Sequence, residues 1–351
     1  MKKDRSASPA APVRPGRVIR LGVLVTDLQS PTVRYRITKY VPFLEDAEVR
    51  CSLYRFPRNR IARWRLFARL RRQDVVMVVK RVLRPLDLLW LRRCARRFVY
   101  DVDDALMFRE DLARPRSALR RVFFDGMLRS ADAVICGNDL LKLYTLVHNP
   151  NVTVLPTSID LSEYPVCPRR RPQRPLTLGW IGGSGSLRYL EAIRPALERA
   201  GRDGVRLKII CDRFPEFDHV AVEKVLWSEA TELEELGTVD VGIMPLPDAP
   251  YTVGKCAFKI VQYYGLGLPT IASPVGVNKA LVIPRVSGLL AESLDDWISA
   301  IRYCSDHREQ ITEWGLNGRR IVEAGYTVQV NAPKMIALLR RVAGIREVTG
   351  P

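Results

Sequence analysis

The stretch GKCAFKIVQYYGLGLPTIASPVG, Gly254 to Gly276, is mostly apolar yet keeps Lys255, Lys259 and Gln262. If 255–266 is a helix, these three stand at i, i+4 and i+7 and share one face. Ala257, Ile260, Val261 and Tyr264 then form the opposite, apolar face. A lysine at a helix N-terminus opposes the local dipole unless an anion binds there, so the pattern points to a phosphate site. A solvated helix face accounts for the same stripe equally well. A second candidate is GWIGGSGSLRYL, where Gly182, Gly183 and Ser184 lie between a strand and a helix. Glycines let a phosphate approach the backbone closely. The spacing ends in Arg188, where a dinucleotide fingerprint has Gly, and an ordinary tight turn is the competing reading. The loop TDLQSPTVRYR holds Ser30, Arg34 and Arg36. The two arginines are not both expected to face a core, so one or both reach an anion across a cleft or lie on the surface. In YDVDDALMF, Asp101, Asp103 and Asp104 follow a buried strand. Asp101 and Asp103 suit Mg²⁺ chelation beside a diphosphate; alternatively Asp103 or Asp104 caps the next helix.

These groups need elements to hold them. VIRLGVLV, DVVMVV, RFVYDVDD, ADAVICGN and NVTVLPTSID read as short buried strands, with VRYRITKYVPFL and LDLLWLRRCA as helices among them. LTLGWI, VRLKIICD, VDVGIMPL and PTIAS repeat the style in the second half. Strands of this kind alternating with helices predict parallel, doubly wound sheets. PVCPRRRPQRP, Pro165–Pro175, is too rich in Pro to continue a helix or central strand and reads as a linker. The expected fold is therefore α/β, with two doubly wound, Rossmann-like domains facing each other across a cleft. Residues 1–16 are expected to be a disordered tail, 17–165 the first domain, 166–175 the linker and 176–327 the second domain. Strand carboxyl ends open into such a cleft.

The chain has 351 residues, 47% hydrophobic and 27% charged, enough for two cores. No apolar run is long enough to span a membrane, and MKKDRSASPAAPVRPG lacks the apolar stretch of a signal peptide. The seven Cys form no CxxC pair, which fits a reducing cytoplasm and gives neither a disulfide framework nor a zinc site. The net charge of +18 is uneven, since residues 1–165 hold 32 Lys and Arg against 17 Asp and Glu. A basic half points to nucleic acid, an anionic membrane surface or phosphorylated ligands. The basic residues are not interleaved with stacking aromatics, and no helix-turn-helix or zinc pattern occurs, so nucleic acid is the weakest of the three.

Taken together, VRYRI, YDVDDALMF, ADAVICGN and VLPTSID resemble the acceptor side of family-4 glycosyltransferases with the GT-B fold, of the bacterial cell-surface polysaccharide type. LGWIGGSGSLRYL, LWSEATELEELGTVDVGIMPLPD, GKCAFKIVQYYGLGLPTIASPVGVN and SGLLA resemble their donor side. The resemblance implies transfer of a sugar from a nucleotide-sugar donor to a hydroxyl on a glycan or lipid-linked acceptor, with retention, no cofactor and no metal. It also implies that residues 328–351 form a helix, near Val328–Val342, that crosses back to the first domain. The family's Glu-x7-Glu donor motif falls on Gly254 and Gln262, so both carboxylates are absent. Its acceptor-domain histidine is also absent after YDVDD, and Asp103 is the substitute candidate. The resemblance implies a base near Trp227 and Asp212. A diphosphate lies against Gly182, Gly183 and Ser184, with Lys255, Lys259 and Arg34 neutralising charge, and Gln262 hydrogen-bonds a hydroxyl. The missing carboxylates leave open a second reading, a sugar-nucleotide-binding pseudoenzyme.

RNRIARWRLFARLRR, Arg58–Arg72, places Ile61, Trp64, Phe67 and Leu70 on one helical side amid seven arginines. A basic amphipathic helix of this kind suits peripheral docking on the anionic inner face of the cell membrane. The alternative is an ordinary helix packed on its own sheet.

Overall fold

The computed structural model describes residues 17–166 and 175–345. The N-terminal 16 residues, most of the Pro165–Pro175 linker and the last six residues lie outside the described part. Two six-stranded sheets, parallel throughout, organise the chain. The first contains β1 (Ile19–Val25), β2 (Val49–Arg55), β3 (Val75–Val79), β4 (Phe98–Val102), β5 (Ala133–Cys136) and β6 (Val152–Val154), in the order β2-β1-β3-β4-β5-β6. The second contains β7 (Thr177–Ile181), β8 (Arg206–Cys211), β9 (Ala221–Leu226), β10 (Val241–Met244), β11 (Thr270–Ala272) and β12 (Gly288–Leu290), in the order β12-β11-β10-β7-β8-β9. In both, the strand order reverses beside the first strand of the sheet, and that reversal opens a crevice at the strand carboxyl ends.

The inner strands of the first sheet are largely apolar on both faces because helices cover both. Val76, Val78, Tyr100, Val102 and Val134 point to one side and pack on Phe67, Leu91, Phe124, Met127 and Leu141. Those partners belong to the helices Arg60–Arg69, Pro85–Cys94, Ala118–Ser130 and Asp139–Leu146. Their strand neighbours Val75, Met77, Val99 and Ile135 point to the other side. There they meet Val33, Leu44 and, from the C-terminal helix Val328–Val342, Ala332, Met335, Leu338 and Leu339.

The helix Arg60–Arg69 turns its apolar side inward. Phe67 and Leu70 are fully buried, and Trp64 donates its indole N–H to Asp87 at 3.1 Å. Arg63 pairs with the same Asp87 at 3.0 Å. The apolar face read as membrane-facing thus packs on its own domain, apart from Ile61, which is 63% exposed. The arginines at 58, 60, 65, 69, 71 and 72 remain exposed.

Candidate active site

Between the sheets lies a cavity of about 440 Å³. Lys80, Asp103 and Asp104 reach it from the carboxyl ends of β3 and β4, and Pro31, Thr32 and Tyr35 from the loop and helix after β1. From the second domain come Gly182 and Gly183 after β7, Asp212 after β8, Trp227 after β9, and Glu232, Lys255, Lys259 and Gln262.

The helix carrying the lysine pattern begins at Phe258 and ends at Gly265. Lys255 lies before it, in the short connection from the helix Pro250–Val253, and so does not share its face. The shortening has a local cause. Ala257, the N-cap, sits in the left-handed region at φ 53°, which turns the chain between the two helices. The turn nevertheless brings Lys255 to the cavity beside Lys259 and Gln262.

Neither lysine forms an ion pair among the described residues. The Lys255 ammonium stands 5.0 Å from the centre of the Tyr251 ring, and that of Lys259 stands 5.5 Å from the centre of Trp180. Burial, together with repulsion from Lys255, pushes the Lys259 ammonium down to about 8. The glycine loop is part of the same arrangement. A Cβ at Gly182 would come within 2.9 Å of Lys259 Cε and 3.1 Å of its Nζ, so only glycine leaves that lysine its position. Ser184 donates to Asp212 from both backbone N–H (2.7 Å) and hydroxyl (2.8 Å). These bonds hold the Asp212 carboxyl below its ordinary range. Ser184 thus acts on the cavity wall through Asp212 and is not itself on it.

On the opposite wall, Lys80 Nζ is 2.6 Å from Asp104 and 3.4 Å from Asp103. Burial alone would lower the Lys80 value, but the two carboxylates raise it well above the ordinary lysine range. Asp104 is conversely held low: Lys80 and Lys255 outweigh its burial, and the Tyr251 hydroxyl donates to it at 3.2 Å. Asp103 Oδ1 is buried without a hydrogen-bond partner.

The arginines read as anion ligands have protein partners. Arg34 crosses the cleft to Glu232 and, at 3.2 Å, to Glu229. Glu232 also accepts from Tyr35 at 2.8 Å and from the Trp227 indole at 2.6 Å. Arg36 is buried against Asp101 and donates to the Leu155 carbonyl at 2.6 Å. One of the two arginines therefore does face the core, and Asp101 is its counter-ion. Ser30 caps the helix Pro31–Arg36, accepting from the Val33 N–H at 3.4 Å. Ser30, Arg34 and Arg36 are not among the residues lining the cavity.

Lys80, Tyr35 and Glu232 escaped sequence reasoning. Lys80 had a usable signal, since it directly follows the DVVMVV strand, at the end where such sites form. Glu232 sits in an acidic run whose spacing marks no member above the others.

No protein-family model matches the chain, and no curated protein matches it in sequence. Solved structures do match in shape. Sucrose-phosphate synthase from Thermosynechococcus elongatus superposes with a TM-score of 0.73 at 14% identity, covering 93% of this chain and 100% of that one. HepE of Anabaena, solved in complex with UDP, gives 0.67 at 13% identity, with 93% and 100% coverage. A glycosyltransferase from Rickettsia africae gives 0.69 at 11% identity, with 93% and 99% coverage. At these identities the likeness is one of fold: the chain has the two-domain α/β architecture of GT-B proteins.

Proposed function

We propose that the protein is a family-4 glycosyltransferase that moves a sugar from a nucleotide-sugar donor to a hydroxyl of a glycan or lipid-linked acceptor, with retention, in bacterial surface-polysaccharide synthesis. The observation that carries this reading is the pairing of Lys255 and Lys259, without carboxylate partners among the described residues, against the Gly182–Gly183 loop in a cleft between two doubly wound domains. Two cations beside a bare backbone loop form a receptor for a diphosphate. HepE, which shares this fold, was solved with UDP and with UDP-glucose.

In this reading Trp227 and Asp212 flank the base end and Gln262 serves a hydroxyl as a neutral amide. The bond from the sugar to the diphosphate breaks as the acceptor oxygen bonds to the same carbon. Lys255 and Lys259 stabilise the charge that develops on the leaving diphosphate. A leaving phosphate oxygen takes the acceptor proton, so no strong protein base is needed. Asp103 borders the sugar end. The exposed arginines of the Arg58–Arg72 segment serve an anionic lipid surface at the inner face of the cell membrane.

The test is a thermal-shift screen of UDP, GDP, ADP and TDP, followed by turnover with sugar forms of whichever binds. Ligand that binds only the folded state raises the melting temperature by mass action. Binding with turnover, unaffected by EDTA, is expected. Binding without turnover on any donor favours the pseudoenzyme, and no binding at all removes the reading. Lys255→Ala and Lys259→Ala should each lower turnover at least tenfold, the loss of a charge-assisted contact of about 1.5–3 kcal/mol.

A further inference from the structure

The carboxylates missing from the donor-side motif have counterparts on the opposite wall. At Gly254 an added Cβ would lie 2.4 Å from Ala105 Cβ and 3.0 Å from the Ala105 N, so no acidic side chain fits there. What fills that place is the loop after β4, which also carries Asp103 and Asp104. One contact ties this loop to the segment at Gly254, and a second ties the neighbouring end of β5 to that segment. Cys256 donates its thiol to the Asp103 carbonyl at 2.8 Å, and Asn138 donates to the Gly254 carbonyl at 3.0 Å.

Both carboxylates therefore enter the cavity from the first domain, next to the lysines of the second. Lys80 holds them from a backbone in the left-handed region (φ 48°), a conformation a lysine rarely adopts and keeps here under the restraint of its two ion pairs. One ammonium faces two carboxylates, so this wall carries an excess negative charge. Asp103 is 8% exposed and borders the cavity, and its buried Oδ1 has the Lys80 ammonium at 3.4 Å but no hydrogen-bond donor among the described residues. That contact is an ion pair longer than a hydrogen bond, so a hydroxyl donor would add to it and a second carboxylate would oppose it.

Resting on the nucleotide-sugar reading, the geometry points to the Lys80–Asp103–Asp104 cluster as a specificity subsite for the transferred sugar, one that takes a neutral, hydroxyl-bearing sugar and rejects a uronic acid. Asp103 Oδ1 accepts from a sugar hydroxyl. Lys80 is committed to its two aspartates and is not free to receive a third carboxylate. Lys255 and Lys259 are occupied by the diphosphate.

The experiment measures affinity by calorimetry on the base selected by the thermal-shift screen. The probes are the nucleoside diphosphate alone, its neutral sugar form and its uronate. For uracil these are UDP, UDP-glucose and UDP-glucuronate, with the corresponding pairs for adenine or thymine, and GDP-mannose with GDP-mannuronate for guanine. The uronate should bind at least tenfold more weakly than the neutral form. Asp103→Asn and Asp104→Asn, made separately, should each shrink that ratio at least threefold. Affinity for the nucleoside diphosphate alone should stay nearly unchanged in Asp103→Asn and rise in Asp104→Asn, whose carboxylate also acts on Lys255 and Lys259. A retained affinity for the nucleoside diphosphate also shows that a variant is folded. A uronate that binds as tightly as the neutral sugar, or a ratio that neither variant moves, overturns the inference while leaving the nucleotide reading standing. Failure of all four nucleoside diphosphates to bind overturns both.

Discussion

Lys259 holds its charge where burial and Lys255 both oppose it, at a value near 8. The other ionisable groups that act on it are Asp104, Cys211 and Glu110, with the Trp180 ring beneath. A bound diphosphate reverses the balance, because an adjacent anion favours the ammonium. The direction of the pH effect follows. Below about pH 8 the lysine is protonated with or without ligand, and binding is strongest. As pH rises through 8 the free protein loses the proton and binding must take it back, so affinity falls. At pH 8 the free lysine is half protonated, so binding of the nucleoside diphosphate should draw in up to about half a proton. Calorimetry in two buffers of different ionisation enthalpy reads this directly, and Lys259→Met should abolish the uptake. No uptake in the wild type would place the phosphates elsewhere. At this scale the sequence pointed to Lys259 and Gln262 through residue type and a helical period, and to Lys255 through residue type alone, since it lies before the helix. It did not show that Arg34 is claimed by Glu232 or Arg36 by Asp101, because ion-pair partners 198 and 65 residues apart leave no local pattern.

At the scale of elements, legibility followed position in the sheet. The central strands β1, β3, β4, β7, β8 and β10 are apolar on both faces and stand out as short hydrophobic runs. The strands that periodicity did not reveal, β2, β9 and β12, are all edge strands, and β6 is the one edge strand that was read. β9 (AVEKVL) alternates exposed and half-buried residues, and β2 (VRCSLYR) is polar at several positions, so neither forms a run. The helix Val328–Val342 was expected from the resemblance alone, and its packing supports a prediction. Leu339 is fully buried among Leu21, Val23, Met77 and Val99 of the first sheet. Leu339→Ala should therefore destabilise the first domain by about 2–5 kcal/mol, the usual cost of a buried leucine truncation. Urea unfolding followed by tryptophan fluorescence measures it. A loss below about 1 kcal/mol would mean that the helix contributes little to that core.

Across the whole molecule, one side of the first domain brings together what a single helix only hinted at. The helices Arg60–Arg69, Pro85–Cys94, Ala118–Ser130 and Asp139–Leu146 cover the same face of the sheet, and each sends apolar residues inward. Their outer surfaces carry Ile61, Leu86, Leu89, Leu119, Val122 and Leu143, each more than half exposed. Of the acids on these helices, Asp87 and Asp125 are buried and paired, which leaves Asp139 as the exposed one. Exposed leucines set among arginines, on a surface so poor in acid, fit an anionic lipid headgroup layer better than they fit water. No described helix is long and apolar enough to cross a membrane, so the contact proposed is one of lying on the surface. Each arginine near such a surface contributes on the order of 1 kcal/mol, which salt screens. The protein should therefore co-sediment with vesicles of phosphatidylglycerol at low ionic strength and be released as salt rises. Because the inner side of the helix Arg60–Arg69 is already packed, the apolar share of binding must come from its neighbours. Leu86→Ser with Leu89→Ser should then weaken docking several-fold at fixed salt, while Arg65→Ser with Arg69→Ser should flatten the salt dependence. Neither pair touches the cavity, so nucleoside diphosphate binding serves as the control for folding. A wild type that ignores anionic vesicles at low salt would assign the basic face to a soluble polyanionic acceptor, and the cleft would then meet its acceptor away from any lipid surface.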